Sequence, residues 1–309
     1  MSQWDGIDEF VAVAVAGSFI GGAKALHASA THVSRAVMML EQRVQAQLFH
    51  RTTRSVRLTD TGRVFLDHCT RMVQERDEAI ALINERGEPQ GELRVACSTA
   101  MGELFISPIL RRYTMANPRL SVTIEMSNRL VDLVAEGFDL AIRTGALADS
   151  RLIATRIASR AYYTCAAPAY LATMPAIERI EDLAFHQCIC GTNDAWYFKR
   201  DDQPVLHRPR GRFRCNSGHA VVDACLAGMG VCQLPDFYVL PHIRAGTLSV
   251  VLEPFRADDE PIWAVYPQRR HLLPKIRNVV EMLRRDLGNA MNAARAVGCA
   301  AASPRGIDV

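Results

Sequence analysis

Two sets of residues in this 309-residue chain have types and spacings that could do chemistry. The first is dense: Ser29, Thr31, His32, Ser34 and Arg35, then Arg51, Thr52, Thr53 and Arg54, with His50 and Arg57 beside them. Short hydroxyls and guanidiniums suit base edges and phosphate oxygens rather than bond cleavage. Arg35, Arg43, Arg51, Arg54, Arg57 and Arg63 are opposed in that span only by Glu41 and Asp60, although the net charge of the whole chain is only +3. Such a local excess of positive charge is what a phosphate backbone needs. The second set is dispersed, each member after a strand-like run or before a helix-like one: Ser98, Thr99 and Ala100; Ser127 and Asn128; Arg143 and Thr144; Pro168; Asn216 and Ser217. In open α/β sheets ligands lie beyond the carboxyl ends of strands, and free N–H groups at helix starts favour carboxylates and other anions. Each has a plainer alternative. Ser98 or Asn216 could serve only as an N-cap, and Arg143 could pair with Asp132 or Asp139 on the surface.

Catalytic constellations are missing from the sequence. It contains no G-x-x-x-x-G-K-[ST] loop, no H-E-x-x-H and no G-x-S-x-G elbow. The nearest approach to a metal site is His186 with Cys188 and Cys190. Three ligands so close along one strand would point to both of its faces, so no metal and no cofactor is expected. A redox pair of Cys215 and Cys225 is a further reading: Arg212 and Arg214 flank the former, but the latter sits in the apolar run VVDACLAG and reads as core. The nine cysteines are odd in number, scattered and without a C-x-x-C pair, which fits a reducing cytoplasm rather than a disulfide framework. An apolar run near the start is preceded by Asp5, Asp8 and Glu9 instead of positive charge and is broken at Gly17 and Ser18. It is expected to be neither a secretory signal nor a membrane span. A hydrophobic content of 49% with 22% charged residues is ordinary for a soluble globular protein.

The elements that must hold the first set are helical. Asp5 is expected to cap a helix burying Ile7, Phe10, Val11 and Val15 and ending at Gly17. Ser18 caps a second helix carrying Ala23 and Leu26 inward, and Ser29 stands at the start of a third. There Val33, Val37, Leu40, Val44 and Leu48 form one apolar stripe, leaving Thr31, His32, Ser34 and Arg35 at the exposed start. The Arg-rich segment after it reads as a two-stranded wing closing at Leu58. Thr59 then opens a long helix to about residue 85, whose Leu66, Cys69, Val73, Arg76, Ile80 and Ile83 recur by threes and fours, a seam suited to a partner chain.

The order of these pieces is specific. IDEFVAVAVAGSF at 7–19, AKAL at 23–26 and VSRAVMMLEQRVQAQLFHRTTRSVRLTDTG at 33–62 resemble the winged helix-turn-helix domain of the LysR-type transcriptional regulators. Two departures stand out. Ile20-Gly21-Gly22 replaces small helix formers, which either weakens that helix, at about 1 kcal/mol per glycine, or permits close packing. His32 replaces a small residue and bears on base preference.

Downstream, Gly87 to Gly91 reads as a hinge, followed by alternating units. Strands are expected at 93–97, 121–126, 139–145, 162–168, 231–235 and 262–267. Helices are expected at 103–116, 131–137, 219–228 and 274–287, with a mobile tail beyond. A mostly parallel sheet follows from that alternation. GELRVACSTAMG, RLVDLVAEGFDLAIRTG, AAPAYLA and LAGMGVCQLPDF are similar to the effector domain of the same family. The resemblance implies an α/β fold: a winged helix-turn-helix over 1–62, a linker and dimerisation helix with hinge over 63–90, and a two-lobed, periplasmic-binding-protein-like effector domain over 91–290. It places the first lobe at 91–162 and 268–288, the second at 163–267 and the tail at 291–309. It further implies a cytoplasmic transcriptional regulator that binds double-stranded DNA at a quasi-palindromic operator as a homodimer or homotetramer. A small organic effector, a carboxylate among the candidates, would lie in the cleft facing the second set of residues. Where many relatives carry an acid this chain has Asn128, a loss of charge that bears on effector preference.

Overall fold

The computed structural model describes residues 4–51, 56–83, 88–145, 152–270 and 273–297, in two compact units, Met1–Gly87 and Glu88–Val309.

The first unit comprises α1 (Ile7–Ala16), α2 (Phe19–Ala25), α3 (Ala30–Val44), the antiparallel pair β1 (Phe49–Arg51) and β2 (Val56–Leu58), and α4 (Asp60–Ile83). Its core gathers Phe10, Val13, Val33, Val37, Leu40, Leu48, Phe49 and Cys69. The Phe10 ring lies 5.2 Å from that of Phe49 and 5.5 Å from that of Phe65. The starts of the middle two helices are fixed by hydroxyls: Ser18 Oγ accepts from Gly21 N at 3.0 Å, and Ser29 Oγ from His32 N at 3.2 Å. Thr59 caps α4 in the same way, accepting from Gly62 N at 2.8 Å.

Four expectations for this unit need correction. Leu26, expected inward, is exposed at the C-cap of α2. Asp5 does not cap α1. The cap position is Gly6, at φ 88°, where a Cβ would lie 2.7 Å from the Ala36 carbonyl, and Asp5 instead offers its own carbonyl to Arg43. Val13 rather than Val15 faces the core; Val15 is 79% exposed. The α3 stripe ends at Leu40. Gln45 takes a left-handed conformation that stops the helix, Val44 is exposed, and Leu48 is buried from beyond the helix end. The glycine pair of α2 serves close packing: a Cβ on Gly22 would lie 2.9 Å from Val13 N, and one on Gly21 2.9 Å from the Ala16 Cβ.

The seam of α4 is likewise internal over its first half. Leu66, Cys69 and Val73 pack into this unit's own core. Arg76, the residue that interrupts the seam, donates from Nη1 and Nη2 to the Asp8 carboxylate at 2.7 and 2.9 Å. Ile80 alone among the described seam side chains is left exposed.

The second unit holds β3 (Gly91–Cys97), α5 (Thr99–Met101), a π turn (Gly102–Ile106), α6 (Ser107–Ala116), β4 (Leu120–Met126), β5 (Leu140–Thr144), β6 (Leu152–Arg160), β7 (Tyr162–Ala166) and α7 (Pro168–Leu171). It continues through β8 (Cys188–Cys190), β9 (Trp196–Arg200), β10 (Gln203–His207), β11 (Phe213–Arg214), α8 (Gly218–Leu226), β12 (Val231–Pro235), α9 (Asp236–Arg244), β13 (Ser249–Val251), β14 (Glu260–Pro267) and α10 (Pro274–Val297). Two five-stranded sheets define two lobes, in the orders β4-β3-β5-β14-β6 and β11-β8-β12-β7-β13. Each is mixed rather than mostly parallel: β14 runs antiparallel to β5 and β6, and β7 antiparallel to β12 and β13.

Strand β14 therefore belongs to the first lobe, not the second, and the chain crosses between lobes twice, at Ala161 and between β13 and β14. Residues 131–137 form no helix. Asp132 Oδ1 accepts from Val134 N and Ala135 N at 3.0 Å, closing a single turn that Gly137, at φ 72°, ends. The last helix does not end at residue 287. It runs to Val297 with Met291 buried, so a tail beginning at 288 or 291 is ruled out as far as Val297. Residues 298–309 lie outside the described residues.

Candidate nucleic-acid interface and ligand cleft

Burial of Val33, Val37 and Leu40 fixes which side of α3 faces out. Thr31, His32 and Arg35 are exposed on it, Ser34 is half-buried, and Met38 and Gln42 continue the same face. Ser29 is exposed at the cap, its hydroxyl already engaged by the His32 amide. The imidazole Nε2 of His32 lies 3.2 Å from Glu9 Oε1, so α1 braces this side chain from behind. The outward face is thus short, polar and rigidly backed, and it can present donors and acceptors to the edges of stacked bases. Arg51 ends β1, but its side chain, like all of Thr52, Thr53 and Arg54, lies outside the described residues. Arg57 sits on β2 opposite His50.

In the second unit the strand ends of both lobes converge on one cleft of about 1420 Å³. Ser98, Thr99, Ala100, Ser127, Asn128, Arg143, Thr144, Asn216 and Ser217 line it. Pro168 does not: it opens α7, exposed on the second lobe and away from the cleft lining, because β7 is antiparallel to its neighbour β12 and its end points the other way. The cap role also applies to part of the set. Ser217 Oγ accepts from Ala220 N at the start of α8, whereas Ser98 makes no such side-chain bond.

Arg143 pairs with neither Asp132 nor Asp139. Its Nη2 donates to the Val131 carbonyl at 2.7 Å, and its buried Nε has no hydrogen-bond partner. Asp139 is fully buried with Arg270 and Lys275 and accepts from Arg94 N at 2.7 Å. Asn128 spans the cleft: its Oδ1 accepts from Thr99 N at 3.4 Å in the first lobe, and its Nδ2 donates to the Asn216 carbonyl at 2.9 Å in the second.

Sequence reasoning missed much of the second lobe's wall, including Trp196, Gln233, Phe237 and Tyr238, and the Arg160–Tyr162 pair at the crossover. Arg160 donates to Glu260 Oε2 at 2.7 Å, Thr144 Oγ1 at 3.1 Å and Tyr162 OH at 2.7 Å. Burial pushes the Tyr162 phenol up to about 12, so it stays protonated and can donate into the cleft. Tyr238 stacks edge-on with His219 at 5.0 Å, and a Cβ at Gly218 would lie 2.2 Å from its Cζ, so only glycine fits beneath the ring. The signal for Phe237 and Tyr238 was present, since they follow a strand end just as Ser98 does.

Seven of the eight described cysteines are buried, while Cys215 is half-buried and lines the cleft. Cys225 Sγ donates to the carbonyls of Cys165 and Gly230 at 3.4 and 3.5 Å. Burial raises the Cys188 thiol to about 11, and the His186 Nδ1 is taken by Tyr170 OH at 3.2 Å. Among the described residues no group of three or more His, Cys, Asp or Glu is placed to hold a metal ion. Nor is any helix long and apolar enough to cross a membrane.

A winged helix-turn-helix unit and a two-lobed unit with a polar-lined cleft define a ligand-responsive DNA-binding regulator. Comparison with known proteins makes this specific. A family profile described as "Bacterial regulatory helix-turn-helix protein, lysR family" matches residues 4–63, and one described as "LysR substrate binding domain" matches residues 86–288. The chain is 31% identical over 279 residues to the HTH-type transcriptional activator AaeR of Escherichia coli, covering 89% of this chain and 90% of that protein. It is 34% identical over 284 residues to the HTH-type transcriptional regulator PtxR of Pseudomonas aeruginosa, covering 90% and 91%. The solved structure of CrgA, a LysR-type transcriptional regulator from Neisseria meningitidis, superposes with a TM-score of 0.57 at 29% identity over 92% of this chain and 98% of that one. The chain belongs to the LysR family of transcriptional regulators. It is a DNA-binding regulator with an effector-binding domain and not an enzyme.

Proposed function

We propose that the cleft takes a small organic carboxylate, and that its occupancy sets how the protein grips an operator read by the outward face of α3. The observation that carries this reading is the Arg143 guanidinium: it ends a strand at the cleft, and its buried Nε–H has no partner. An unmet buried donor costs about 1–3 kcal/mol, so this guanidinium is incompletely paired where it lines the cleft, and a carboxylate there would gain a charge-assisted bond from it. The start of α8, the positive end of its dipole, lies at the same cleft, while Trp196, Phe237 and Tyr238 offer apolar surface to the rest of such a molecule. Asn128, neutral where an acid would repel an anion, favours the same class. Ser29, Thr31, His32, Ser34 and Arg35 would read bases, while Arg51, Thr52, Thr53 and Arg54 would hold the backbone. The protein would act in the cytoplasm as a dimer or tetramer on a quasi-palindromic site, the exposed end of the α4 seam at Ile80 contributing to assembly.

The test is a thermal-shift screen of small organic acids against their neutral amides, on wild type and Arg143→Met. An acid that raises the melting temperature, an amide that does not, and loss of the shift in the variant are expected. Equal shifts from acids and amides would overturn the carboxylate assignment.

A further inference from the structure

The last turns of α10 reach beyond the lobe that α10 belongs to. Leu287 and Met291 are buried, and four residues later Arg295 extends to the second lobe. Its Nε donates to Asp236 Oδ2 at 2.9 Å, its Nη2 bonds the same oxygen, and Nη2 also reaches the Ser159 carbonyl at 3.4 Å. Asn292 Oδ1 steadies the guanidinium at 2.8 Å from Nη1. Asp236 is 1% exposed and opens α9. It exchanges two bonds with the crossover residue Ala161: Ala161 N donates to Asp236 Oδ2 at 3.1 Å, and Asp236 N to the Ala161 carbonyl at 2.9 Å. The next two residues, Phe237 and Tyr238, are the aromatic wall of the cleft.

We infer that Arg295 is a positioning residue of the ligand cleft, latching the end of α10 onto Asp236 across the interlobe crossover and so holding the Phe237–Tyr238 wall against the first lobe's strand ends. The inference rests on the reading of that cleft as the effector site. A crossover of one extended residue bends readily by itself. A guanidinium that bonds both a carboxylate of one lobe and a carbonyl of the other removes that freedom, and charge-assisted bonds of this kind are the strong ones. A buried carboxylate left without its cation is heavily penalised. Opening or closing the lobes about Ala161 moves Asp236 relative to Ser159, so the latch favours one lobe arrangement over others. Lysine keeps the charge but has no planar fork to bond carboxylate and carbonyl together.

Hydrogen exchange read by mass spectrometry on the full chain, with no ligand added, tests this. In Arg295→Met, amides within 159–163 and 236–240 should exchange at least tenfold faster than in wild type, with those of β3 and β12 unchanged. Arg295→Lys should fall between, and it decides the matter if the methionine variant fails to fold. Unchanged exchange at 159–163, or acceleration spread evenly over β3 and β12, would reduce the contact to general packing and overturn the inference. Because no ligand enters this measurement, its failure is separate from failure of the carboxylate assignment.

Discussion

The outward face of α3 and the cleft of the second unit place their polar residues by opposite means. On α3 they share one regular helix, whose inward side is fixed by Val33, Val37 and Leu40 packing around Phe10. In the cleft they come one or two at a time from strand ends and loops of both lobes, tied across by single bonds such as that of Asn128 to Asn216. The outward face of α3 therefore depends on the integrity of one small core, whereas the cleft depends on many weak local restraints.

That contrast can be broken most forcefully at Phe10. Phe10→Ala removes a fully buried ring that touches Phe49 and Phe65, and the cavity should cost about 3–5 kcal/mol. Denaturant unfolding should show the first unit melting early, with DNA binding lost. The second unit's own transition should stay in place; a joint shift of both would contradict the separation drawn here. A smaller effect is expected at Gly22→Ala. Better helix propensity would give back about 1 kcal/mol, but a Cβ 2.9 Å from Val13 N forces α1 and α2 apart, and overpacking costs about 1–3 kcal/mol. The variant should be net destabilised in thermal melts, and a stabilised one would show that the pair is not a packing device.

The smallest effect belongs to the rim of the cleft. Arg129 holds the Glu136 carboxylate down to about 2 from an ordinary value of 4.5, with help from the Asp132 amide. The folded form is the one with the lower value, so this contribution is fully present above about 4.5 and fades as pH falls toward 2. Since both partners are at the surface, the slope should be shallow and weakened by salt. Glu136→Gln should flatten the acid limb of the second unit's stability curve, and an unaltered limb would remove the pair from the account.

What could be read in advance follows the same divide. Helical periodicity and hydroxyl caps exposed α2 and α3, since Ser18 and Ser29 act locally and Val33, Val37 and Leu40 repeat at helical spacing. Asp5 misled because Gly6 can adopt a left-handed start that Asp5 itself need not cap. Arg76 looked like a flaw in a partner seam, and nothing local announces Asp8, sixty-eight positions earlier, as its partner. In the second unit the strand-end rule found the cleft-lining Ser98, Ser127 and Arg143, and the helix-start rule Asn216. It failed for Pro168, where strand direction reverses, and it stopped one residue short of Asp236 and the aromatic wall. Strand β14 went to the wrong lobe because a return crossover leaves no mark on hydrophobic pattern. The end of α10 looked like a tail because its inward contacts rest on Met291 and on one arginine rather than on a broad apolar stripe.

The most direct test of the central claim, that the exposed face of α3 reads DNA, is a competition binding measurement. The full chain is titrated onto the duplex upstream of its own gene against random duplex at fixed salt, with wild type compared to a Thr31→Ala, Ser34→Ala, Arg35→Ala variant. Wild type should prefer the specific duplex by about a thousandfold or more, as specific regulators do, and the variant should lose most of that ratio while keeping its random-duplex affinity largely intact. Equal preference in wild type and variant, or no preference in either, would contradict it.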